Sequence, residues 1–175
     1  MSGLSHSIGM ATSKTMTTQA RHPEPTPAPR QAQIVVFCQR PGPLDPLLDW
    51  LAEKGAKVVH FPMRKLPLEW FDTYGDSHDV ALVDADFLGD EGAMIDFGMR
   101  LRRFSPGMPI IMATKRVTQS DYSTERMAIC DVTLRMPIAR GDLLEALSIA
   151  LENHGHWLEA RHGKRSFEPA PPTTV

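Results

Sequence analysis

Asp84 closes an apolar run, HDVALVD over 78–84, and is followed at once by the acidic, glycine-bearing ADFLGDEG. Asp86 and Asp90 are among the carboxylates of that loop. Three carboxylates so close in sequence could together supply the oxygen ligands that a hard divalent cation requires. The opposite arrangement is a guanidinium fork, with Arg40 or Arg135 paired to Asp84 so that the carboxylate needs no metal. A third possibility is that Asp84 caps its own loop through bonds from backbone amides. Thr114 ends a second apolar run, PIIMAT, 30 residues beyond Asp84. It is either a hydroxyl partner for that edge or an ordinary β-branched strand end. Cys38 and Cys130 are far apart and each stands beside apolar residues, which predicts reduced core thiols, with redox sensing at Cys38 as the alternative. His154, His156 and His162 have no cysteine or acidic ligands at metal-site spacing and are expected to be solvated.

These groups have to be positioned by secondary structure, and the hydrophobic pattern alternates between two periods. Residues 34–37 form a short apolar run. Leu44, Leu47, Leu48 and Leu51 then recur at helical spacing, and Gly55 terminates that helix. A β-branched run over 56–61 precedes a short helix over 66–74 that contains Trp70 and Phe71. Val80, Ala81, Leu82 and Val83 read as a strand buried on both faces, so Asp84 emerges where strand meets loop. Ala93, Met94, Phe97, Leu101 and Phe104 mark the inner stripe of the next helix, with Arg100, Arg102 and Arg103 on its solvated side. Ser-Pro-Gly at 105–107 stops it. A strand over 109–113, a weakly amphipathic helix over 119–129 and a strand over 132–134 follow. The last helix is expected over 141–158, with Leu143, Leu144, Leu147, Ala150 and Leu151 inward.

Five strands alternating with five helices predict an α/β fold. The expected architecture is a five-stranded parallel sheet in the flavodoxin-like order 2-1-3-4-5, covered by helices on both faces. Ligands bind such sheets at the carboxyl ends of the strands, beside the switch point between strands one and three. Asp84 belongs to that edge.

Composition narrows the function classes. A chain of 175 residues, 42% hydrophobic and 23% charged, accommodates one well-buried domain with tails. Residues 1–33, with the Pro-rich HPEPTPAPR, read as a disordered leader; 34–158 form the domain, and 159–175 read as a second disordered tail carrying Lys164 and Arg165. The balance of 19 basic against 21 acidic residues creates no field for nucleic acid or an anionic membrane. No run approaches the roughly 18 apolar residues of a membrane span, and no secretory signal is evident.

With this alternation in place, the stretch from residue 34 to 154 resembles a response-regulator receiver (CheY-like) domain. Asp84 stands where that family has its phosphoacceptor aspartate, and Gly92 matches the glycine that closes the following loop. Leu88 replaces a usual proline and Glu91 a common aspartate. Thr114 matches the hydroxyl residue that binds the phosphoryl group and moves during switching, and Pro137 matches the proline after strand five, commonly held cis. The departures fall on the chemistry. The resemblance implies two metal-binding acids at the end of strand one, where this chain reads Phe37-Cys38-Gln39-Arg40, and a lysine where it has Met136. Neither the charge of the metal nor that of the phosphoryl group would be met as in the family.

The resemblance therefore implies a degenerate, stand-alone receiver. It would be non-enzymatic and without a cofactor, a cytoplasmic, phosphorylation-independent protein–protein interaction module of bacterial two-component signal transduction. Its partner would be another signalling protein, a histidine kinase or a regulator, or a second copy. The contact would run through the helix over 119–129, the fifth strand and the final helix, with Tyr122, Met127, Arg135 and Ile138 on that surface. Neither nucleic acid nor a membrane is an expected partner. The alternative is a single-domain response regulator phosphorylated on Asp84 by a histidine kinase within a phosphorelay, which alone would require magnesium. A flavin- or nucleotide-binding relative is poorly matched, since the strand-one loop QRPGPLDP lacks the pattern of a phosphate cradle.

Overall fold

A computed structural model describes residues 31–165. Five short parallel strands form its centre: β1 (Gln33–Phe37), β2 (Lys57–Phe61), β3 (Val80–Asp84), β4 (Ile110–Thr114) and β5 (Val132–Arg135). Their order is β2-β1-β3-β4-β5, as the alternation predicts. β3 and β4 are buried at every position, because helices cover both faces of the sheet and leave no solvated side for an alternating pattern. Period two then sorts the side chains. Ile34, Val36, Leu82, Ile111 and Leu134 face one layer, while Val35, Phe37, Ala81, Val83 and Met112 face the other.

Helices α1 (Asp45–Glu53) and α5 (Arg140–Arg165) cover the first face. Helices α2 (Leu68–Tyr74) and α4 (Glu91–Phe104) cover the second. Between β3 and α4 lies a single helical turn, α3 (Ala85–Leu88). Gly55 ends α1 as expected, with φ +86°, where a side chain would be strained. The Met136–Pro137 peptide is cis, and so is Arg40–Pro41.

Four expectations are corrected. The segment 119–129 is not a helix: Asp121 and Thr133 exchange both backbone bonds at 2.7 and 2.8 Å as an antiparallel bridge, and turns follow. Its polar groups have better partners than a helix offers. Asn153 donates to the carbonyls of Tyr122 and Asp131, and Arg102 to that of Met127. Gly98 lets the chain come close to α4, since a methyl there would lie 2.6 Å from the Ile129 carbonyl oxygen. Second, Arg102 is not on a solvated face but 3% exposed, ion-paired to Asp131 at 2.6 Å and stacked over Trp157. Third, His154 is buried at 4% exposure, 2.7 Å from Arg102, rather than solvated at a frayed end.

Fourth, α5 continues to Arg165, past the expected boundary at 158 and into the expected tail. Arg161 stacks on Trp157 one turn earlier and carries the helix on. Its inner stripe is Leu143, Ala146, Ala150, Asn153 and His154, so Leu144 and Leu151 point outward; on α4, likewise, Ala93 and Phe104 are exposed and the inner stripe is Phe97, Gly98, Leu101 and Arg102. The leader over 1–30 and the tail over 166–175 lie outside the described residues.

Candidate functional site

β3 delivers Asp84 to the carboxyl edge, 3% exposed, in register with Ala113 of β4. Its Oδ1 accepts the backbone N–H groups of Asp86 at 3.0 Å and Phe87 at 3.1 Å, making it the N-cap of α3. The capping possibility is the one realised at this residue. Burial raises the Asp84 carboxyl above its ordinary 3.8, and the charge of Asp86 adds to this; the two amides and Lys115 oppose it.

Asp86 is the hub of the edge. Its Oδ1 accepts the Thr114 hydroxyl at 2.7 Å and lies 3.1 Å from Arg116 Nε, and its Oδ2 accepts the Lys115 N–H at 2.8 Å. Thr114, expected beside Asp84, is thus bonded to Asp86. Arg116 also donates to the Gly89 carbonyl. A single carboxylate fastens α3 to the end of β4.

The two guanidinium forks considered for Asp84 are not formed. Arg40 binds Asp45 at 2.8 Å and Asp49 at 2.9 Å, because the α1 carboxylates are the nearer partners once the strand-one loop turns into that helix. Arg135 donates to the Thr118 carbonyl at 2.9 Å. Asp90 caps α4 through the Ala93 N–H at 2.8 Å and so has a structural task of its own.

The cleft over Asp84 has a volume of about 300 Å³ and is lined on its walls by Gln39, Arg64, Asp86, Phe87, Lys115 and Met136. Its two cations, Lys115 and Arg64, add to the residues that the sequence pattern marks. Lys115 directly follows Thr114, and a residue leaving β4 emerges at the same edge as one leaving β3, which is a usable signal. Arg64 lies 5.3 Å over the Phe87 ring and comes from the loop after β2, where no pattern marks it.

Magnesium does not fit these residues. Hard cations need several oxygen ligands, usually with more than one carboxylate. Where the resemblance to receiver domains implies two acids after strand one, this chain has Cys38, wholly buried with its thiol pushed up to about 11 chiefly by that burial, and the exposed amide of Gln39. Among the described residues no three His, Cys, Asp or Glu side chains come together as a metal-binding group, so Asp84, Asp86 and Asp90 do not assemble one.

The four residues expected on the partner surface are held in different ways. Tyr122 and Met127 are half-buried with their carbonyls captured by Asn153 and Arg102. Arg135 is exposed, and Ile138 packs against the core beside α1.

No protein-family model and no curated protein sequence matches the chain. Solved structures do. A CheY-like response regulator receiver domain protein from Methanospirillum hungatei JF-1 is 21% identical, with a TM-score of 0.55, covering 73% of this chain and 99% of that one. A receiver domain protein from Clostridium thermocellum is 22% identical, with a TM-score of 0.55, covering 72% and 98%. A response regulator protein from Burkholderia pseudomallei, described with a phosphorylated aspartic acid, calcium ion and citrate, is 18% identical, with a TM-score of 0.54, covering 77% and 83%. At these identities the likeness establishes the fold, which is that of a CheY-like receiver domain. No described helix is long and apolar enough to cross a membrane.

Proposed function

We propose that this chain is a degenerate receiver of cytoplasmic two-component signalling, which acts by binding another protein and not by accepting a phosphoryl group. The observation that carries the reading is the engagement of the edge. Asp84 caps α3, and the hydroxyl of Thr114 is bonded to Asp86. Phosphoryl transfer needs concentrated positive charge around the developing oxyanions. Met136, where a family member would carry its lysine, is a buried thioether.

The second reading, a regulator phosphorylated on Asp84, draws on Lys115 and Arg64 at the cleft, two cations that could meet a phosphoryl group from other directions. It also draws on the phosphorylated aspartate of the Burkholderia structure. Intact mass after incubation with acetyl phosphate and magnesium separates the two. The expected result is an unmodified chain; a mass gain of one phosphoryl group, abolished in Asp84→Asn, would establish the second reading.

A further inference from the structure

The outward side of α5 carries apolar residues where a solvated helix face should be polar. Leu144 is 56% exposed and Leu151 61%, and neither contributes to the core. Leu158, partly exposed, follows at the same seven-residue step. Ser148 and Gly155 stand four residues after the first two leucines, so the row Leu144, Ser148, Leu151, Gly155, Leu158 alternates steps of four and three. That is the heptad spacing by which one helix packs along another. Gly155 is unexplained within the domain, because a methyl added to it would meet nothing within 4 Å. A mid-helix glycine costs about 1 kcal/mol relative to alanine. Its place in this row fits it to the close approach of another backbone.

Beside the leucines runs a second row with the same step. Glu145, Glu152 and Glu159 each directly follow a leucine of the first row, and all three are exposed. Below Leu147 and Leu151 an apolar groove of about 310 Å³ continues the seam onto Ala32, Ile34 and Val80 at the amino edge of the sheet. We propose that this face of α5 is the docking surface for an amphipathic helix of another protein, one whose apolar seam is flanked by lysine or arginine. The heptad spacing asks for a helix, and the glutamate row asks for a basic flank. A second copy of this chain is the poorer occupant. Laid antiparallel, it would set its own glutamate row against this one; laid parallel, it would offer that row Arg140 as the one fixed cation, beside Leu147 and the buried His154.

The inference rests on the reading of the domain as a protein-binding module, and its test is independent of the phosphodonor assay. Two labelled three-heptad peptides with leucine seams are titrated with the full chain by fluorescence anisotropy, one with lysines and one with glutamates flanking the seam. The lysine peptide is expected to bind at least about tenfold more tightly, and more weakly as salt rises. Leu151→Asp should remove that binding, and Glu145→Lys with Glu152→Lys should invert the preference. These side chains are exposed, so circular dichroism should show all variants folded. Equal binding of both peptides, or an unaffected Leu151→Asp, would overturn the inference. So would a dimer in sedimentation that Leu151→Asp dissociates, which would assign the face to a second copy. Failure here with an unphosphorylated chain leaves the proposed function standing; phosphorylation of Asp84 removes that reading whatever the peptides do.

Discussion

At Asp84 two roles of one carboxylate can be separated by substitution. As an N-cap it needs only an acceptor oxygen, and asparagine supplies one; as a buried charge it is held against a desolvation cost. Because its folded pKa lies above the ordinary 3.8, the native state binds the proton more tightly than the unfolded chain. The associated penalty is absent well below that ordinary value, grows as pH rises toward the raised native one, and is constant above it. Asp84→Asn is therefore expected to raise the thermal midpoint at pH 7, with the advantage disappearing on acidification through the carboxylate range. Asp84→Ala removes the cap as well, and should lie below Asp84→Asn by about 1 kcal/mol. Thermal melts of the three proteins across pH check both statements. If Asp84→Asn were less stable than the native chain at neutral pH, the ionised carboxylate would have a stabilising partner.

Between elements, α4, the segment 115–131 and α5 meet around Arg102. Its guanidinium touches Asp131, the Met127 carbonyl and His154, and stands 4.7 Å over Trp157. Removing one member of such a buried pair strands the other, so Arg102→Ala should cost about 3–5 kcal/mol in a denaturant titration, with loss of protection at the amides of 121–131. Gly98→Ala tests the other support. Alanine favours a helix by about 1 kcal/mol, but here its methyl meets the Ile129 backbone, and the net effect should be a loss of about 1–3 kcal/mol. Both residues show where the sequence is legible. The strands, α1 and α4 follow from local periodicity, and Asp84 and Thr114 from their places at strand ends. Arg102 looks like its solvated neighbours Arg100 and Arg103, because its partners lie 29 and 52 residues away. The missing helix over 119–129 has the same cause: its carbonyls are claimed by side chains on other elements, which no window of local sequence contains. Gly98 was the available local signal, a glycine inside a helical pattern where another backbone approaches.

Across the whole molecule, switching would require the carboxyl edge to hold two arrangements that a ligand could tell apart. Here its carboxylates and Arg40 are already committed, while Lys115 and Arg64 line the cleft. Asp86 joins α3 to β4, Arg40 belongs to α1, and Asp84 holds the first turn after β3. A ligand stabilises a fold only through preferential binding to it, by about 2.7 kcal/mol at a hundredfold excess over its Kd, which in a domain of this size moves the thermal midpoint by several degrees. With Cys38 and Gln39 in place of acids, millimolar magnesium should leave the midpoint of the native chain unchanged, alone or with beryllofluoride as a phosphoryl mimic. Replacing both by aspartate supplies the missing carboxylates, and the same titration should then raise the midpoint. A magnesium-dependent rise in the native chain would mean that Asp84 and Asp86 rearrange to bind it. The committed edge would then be one of two states, and phosphorylation of Asp84 would again be the better account.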